Sequence, residues 1–138
     1  MSNKLVEDYL KKSKIRIAAL NFYKQHKDYS DVVREAQEVV ELLLKAILLY
    51  VGIEIPKVHD VSKTIEKYLD FMPKIIQDNI SEIKRISKSL RKEREISFYG
   101  ADDFIPNEEY TLDEADKAIS EAKFIYETIK KSIREAGK

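Results

Sequence analysis

Any chemistry in this chain would centre on Arg94. Ile76, Ile80, Ile83, Ser87 and Leu90 are spaced four, three, four and three apart, and the next step of four lands on Arg94. An unbroken helix would carry that guanidinium inward, where it needs a carboxylate. Glu38 and Glu41 supply candidates: with Arg34 and Lys45 they form one row, spaced four, three and four apart. That row is either a solvated edge, with i,i+4 pairs Arg34–Glu38 and Glu41–Lys45, or the lining of a cleft or dimer seam. For Arg94 two readings stay open: an internal ion pair, or a group that binds an anion or serves catalysis.

Other chemistry is sparse. The chain has two histidines, His26 and His59, and no cysteine, so a thiol nucleophile and a disulfide framework are excluded and a zinc site is disfavoured. His26 sits in the turn segment HKDYS and reads as an exposed loop residue. His59 precedes Asp60, the expected cap of a helix starting at Val61, and reads as positional. No cofactor is expected.

The elements that hold these residues are helices. Residues 30 to 52 form the central one: Ser30 as N-cap, Asp31 at the positive dipole end, Gly52 as terminator. Val32, Val33, Ala36, Val39, Val40, Leu43, Ala46, Ile47 and Tyr50 recur at helical spacing between them, and Leu42 to Leu44 run together. A helix apolar round most of its girth must be covered on several sides. Before it, residues 3 to 24 make an amphipathic helix with Leu5, Val6, Tyr9, Leu10, Ser13, Ile17 and Leu20 inward. Lys11, Lys12, Lys14 and Arg16 lie mostly opposite, as a solvated face or an RNA-contacting patch.

After the central helix, a short helix runs from Val61 to about Leu69. Pro73 opens a fourth long helix through Arg94, and residues 97 to 110 form an irregular loop anchored by Phe98, Tyr99, Phe104 and Tyr110. Thr111 and Glu114 make a capping box for a last helix to about Arg134. Its inner face is Leu112, Ala115, Ala118, Ile119, Ala122, Ile125, Tyr126 and Ile129. The fold class is all-α: an up-and-down four-helix bundle with one additional short helix, a single domain over residues 1–138.

Charge divides sharply along a chain whose total is zero. Residues 81 to 95 hold six basic and three acidic side chains, residues 102 to 116 seven acidic and no basic one. Lys84, Arg85, Lys88, Arg91 and Lys92 could meet a phosphate backbone, or pair with the acidic loop of the same or a second copy. The balanced total argues for pairing. Charged residues reach 36% against roughly 25% on average, a lean towards a heat-loving source. With no signal-like segment and no apolar run of the roughly 20 residues a membrane span needs, a cytoplasmic protein is expected.

Several motifs then coincide in order: AQEVVELLLKAILLYVG; P-x-x-HD at Pro56, His59 and Asp60; E-R-E-I-S-F-Y-G at residues 93 to 100; I-P at Ile105 and Pro106; and A-x-x-A-I-x-x-A from Ala115. From about residue 30 to the C-terminus the chain resembles the HEPN family, the higher-eukaryote and prokaryote nucleotide-binding domains. The resemblance implies a helical bundle that forms a two-fold homodimer, often beside a minimal nucleotidyltransferase partner, in toxin–antitoxin, defence or RNA-processing systems. Many members are ribonucleases with an Arg followed, four to six residues on, by a His. There the Arg would stabilise phosphorane charge and the His would move a proton. Here Arg94 matches, but Tyr99 stands five later and no His falls in range. The resemblance therefore implies a non-catalytic module binding a nucleotide or partner through Arg94, Tyr99, Arg91 and the Glu38, Glu41 and Lys45 row. The alternatives are a divergent metal-independent ribonuclease using Arg94 and Tyr99, and a purely structural helical dimer.

Overall fold

The computed structural model describes residues 3–57, 60–98 and 106–136, with side chains for residues 4–57, 60–92 and 108–134. All its regular elements are helical. The long ones are α1 (Asn3–Gln25), α2 (Tyr29–Val51), α5 (Ile80–Phe98) and α7 (Leu112–Ala136). Shorter α3 (Val61–Lys67), α4 (Lys74–Asp78), α6 (Pro106–Glu109) and a 3-10 turn (Leu69–Phe71) fill the connections, more short pieces than the single one expected.

The α2 helix is the centre, packed against α1, α5 and α7 and touched by α3 and α6. Its Val32, Ala36, Val39, Leu43, Leu44, Ala46, Ile47 and Leu48 are fully buried. Small side chains face it from α7, where Ala115, Ala118 and Ala122 are buried, and this lets the two helices approach closely. The N-cap is Asp28 rather than Ser30, its Oδ1 accepting from the Asp31 amide and the Ser30 hydroxyl at 3.4 Å. Lys27, at φ 60°, reverses the chain immediately after α1, which brings the cap forward. At the far end Gly52 takes the left-handed conformation (φ 80°), and the Ile53 amide donates back to Leu48 O at 2.9 Å.

The inner stripe of α1 is narrower than expected. Val6, Ser13, Ile17 and Leu20 are buried, whereas Leu5, about 100° round the helix from Val6, is 41% exposed. Leu112 on α7 is likewise exposed, because the helix begins there and Ala115 takes the first inward place.

The helix expected from Pro73 onward is two helices. Asn79 divides them: its side-chain amide donates to Ile75 O at 2.8 Å and closes α4, while its carbonyl accepts from the Ile83 amide at 2.9 Å and opens α5. A short amide side chain that bonds its own backbone competes in this way with helix continuation. Ile83, Ser87 and Leu90 keep the inward register within α5. The loop is also more regular than expected, since α5 runs to Phe98 and Pro106 opens α6. Tyr110 is buried as an anchor. Thr111 and Glu114 cap α7 reciprocally, at 3.1 Å and 3.2 Å.

Candidate functional site

Lys84, Lys88 and Arg91, four and three apart, occupy one face of α5. Asp60, Ser62, Lys63 and Glu66 approach from α3, and the two helices enclose a polar groove of about 610 Å³. Ion pairs cross it. Lys84 Nζ lies 2.5 Å from Glu66 Oε2, and both terminal nitrogens of Arg91 lie 3.3 Å from Asp60 Oδ2. Asp60 Oδ1 accepts from the Ser62 hydroxyl at 2.6 Å. Burial works to raise the Asp60 pKa, but the Ser62 hydrogen bond and Arg91 outweigh it and hold the carboxyl below its ordinary range. Arg85 also lines the groove, and its guanidinium reaches towards α7. It donates to Glu82 and, at 2.8 Å, to the buried Glu121 carboxylate, and these bonds raise its pKa further.

Among the described residues, the basic segment of α5 is paired with Asp60 and Glu66 at α3, Glu82 of α5 itself and Glu121 of α7; the side chains of residues 102–107 lie outside the described residues. Lys88 and Lys92 form no ion pair among the described residues. Sequence reasoning selected Arg91 but read Asp60 only as a cap; pairing across 31 positions leaves no local signal. Glu121 was missed too, because a charged residue beside an alanine stripe reads as solvated.

Glu38, Glu41 and Lys45 are half-buried on α2, and none of them lines the α3–α5 groove. Arg34 pairs with Asp31 at 3.2 Å and Glu35 at 3.1 Å. No ion pair joins Glu41 to Lys45 among the described residues. The α5 backbone carries position 94 one turn beyond Leu90. The Arg94 side chain, Tyr99, Phe104 and His59 lie outside the described residues, as does the Phe98 ring. His26 is exposed, its Nδ1 2.9 Å from Phe22 O at the end of α1. Among the described residues no cluster of three His, Asp or Glu side chains is placed to hold a metal ion. No helix there is long and apolar enough to cross a membrane.

With this bundle in view, the family comparison is decisive. Residues 6–133 match the HEPN domain. The chain belongs to the HEPN family. The match takes in α1, which the motif resemblance had left outside. No curated protein matches the chain. HEPN membership ties it to nucleotide- or RNA-related function. Within the family's ribonuclease pattern, this domain has Arg94 without a His four to six residues later.

Proposed function

We propose that this HEPN domain is a non-catalytic module that dimerises and binds a nucleotide, a minimal nucleotidyltransferase partner, or both. The observation that carries this reading is a HEPN match over nearly the whole chain, combined with an Arg94 motif that lacks its His. Arg94 on α5 supplies the positive charge for a phosphate, with Arg91, three before it and held by Asp60, alongside. Tyr99 supplies a hydrogen-bond donor. With a reference pKa of about 10 it is a poor base at neutral pH. In this reading the half-buried Glu38, Glu41 and Lys45, which lie outside the α3–α5 groove, select the partner by sign and position.

The test is Arg94→Ala, with three measurements on the same preparation: stability, oligomeric mass, and calorimetric binding of ATP and of a nucleotidyltransferase encoded alongside. The proposal expects the nucleotidyltransferase no longer bound, the ATP site at Arg94 lost from the binding stoichiometry, and the dimer intact. A fall in stability with binding per folded molecule unchanged would make Arg94 a structural ion pair instead.

A further inference from the structure

Cations also gather at the α1–α7 seam, far in sequence from Arg94. The Lys11 and Lys14 side chains of α1 meet those of Lys130 and Arg134 on α7 around a cavity of about 300 Å³. None of the four forms an ion pair among the described residues, although the whole chain carries 25 acidic groups against 25 basic ones. Glu7 is the one carboxylate in the lining. This differs from the α3–α5 groove, where Lys84 and Arg91 are engaged by acids. The helix dipole accounts for Arg134, in the last turn of α7. It does not account for Lys11 and Lys14, which sit mid-helix, where that field has faded.

The cavity has an apolar floor. Leu10, Tyr126 and Ile133 are half-buried against the core. Lys130 Nζ stands 5.5 Å from the Tyr126 ring centroid. Burial, with the neighbouring Glu127 carboxylate, raises the Tyr126 pKa against the opposing pull of Arg134, so at neutral pH the phenol is a hydrogen-bond donor.

We infer that α1 and α7 form a second ligand site, one that takes a phosphorylated nucleoside as a free nucleotide or as the phosphorylated end of an RNA strand. Four cations with no ion pair among the described residues, round one cavity, attract an anion, and the half-buried Leu10, Tyr126 and Ile133 favour one that carries an apolar, planar part. An inorganic ion would leave the floor uncovered. From Glu7 to Lys14 the wall is about 10 Å long at 1.5 Å per residue. An acidic peptide would fit only about three extended residues there and offer no plane to Tyr126. The site is independent of Arg94.

The test is titration of the full chain with AMP, adenosine, inorganic phosphate, and a short oligoribonucleotide with and without a 5′-phosphate. AMP should bind about tenfold or more tightly than adenosine or phosphate. The double variant Lys14→Glu, Lys130→Glu should weaken AMP by a further factor of about ten or more, with its thermal melt unchanged. Tyr126→Leu should weaken AMP but not phosphate. Every titration is made on the Arg94→Ala chain, so that nucleotide held by the Arg94 cleft does not enter the reading and failure here is distinguishable from failure of that cleft. A 5′-phosphorylated RNA binding more tightly than AMP assigns the strand end; equal or weaker binding assigns the free nucleotide. Phosphate binding as tightly as AMP, AMP binding that survives the charge reversal, or no binding by any probe each overturns the inference.

Discussion

At the scale of single residues, the Asp60–Arg91 pair shows how much one carboxylate can decide. It joins α3 to α5, and both partners are largely shielded, with side-chain exposures of 17% and 25%. The folded-state pKa of Asp60 lies below its ordinary 3.8. Its contribution is therefore complete above the unfolded value and is lost as pH falls through the depressed one. Asp60→Asn should cost about 1–2 kcal/mol at neutral pH. That deficit should shrink as the pH drops below about 4, where the wild type loses the charge that the variant never had. Urea denaturation of both proteins at neutral and acid pH checks this; a gap of constant size would show that the carboxylate charge is not what joins the helices. The pair also marks where sequence reading stops. Arg91 was legible as one of a run of basic residues that could meet a phosphate or an acid, but its partner lies at the start of another helix, and no periodicity announces that.

At the scale of elements, legibility followed the strength of the local signal. The α2 helix was legible almost residue for residue because its apolar positions leave few other ways to be covered. Leu43, fully buried at its middle, tests that centrality. Leu43→Ala should cost about 2–5 kcal/mol through lost contacts and a residual cavity, seen as a lower denaturation midpoint; an unmoved midpoint would remove α2 from the centre of the core. The turn before α2 was legible in HKDYS, but its left-handed residue was not, because lysine does not announce a left-handed backbone. Lys27 nevertheless holds φ 60°. That conformation costs a non-glycine residue about 1–2 kcal/mol, while glycine forfeits roughly 0.5–1 kcal/mol in chain entropy. Lys27→Gly should therefore be neutral to slightly stabilising, by about 0.5 kcal/mol; a clear loss of stability would show that the lysine side chain, not the backbone, holds the turn. The Asn79 break was hidden for a related reason, since the apolar spacing reads continuously through a residue whose side chain takes the backbone bond.

At the scale of the whole molecule, the expected pairing of basic and acidic segments across a symmetric seam loses part of its basis, because Lys84, Arg85 and Arg91 are engaged within the chain. The proposed dimer then rests on family membership and on exposed apolar side chains such as Ile15 and Phe22, seven apart on α1 and each more than half exposed. Light scattering at micromolar concentration should give twice the 16.1 kDa chain mass. Activity follows from the same assembly. A two-fold HEPN cleft would bring together two copies of Arg94 and two of Tyr99. Positive charge would then be present to stabilise a phosphorane, but no group in the motif takes up a proton near neutral pH. The purified protein should therefore leave structured and single-stranded RNA uncut in a chelating buffer, whether or not it binds them. A monomer mass would remove the shared cleft and leave only one copy of the motif. Cleavage by the wild type that Arg94→Ala abolishes would overturn the non-catalytic assignment, and would make Tyr99 the group to substitute next.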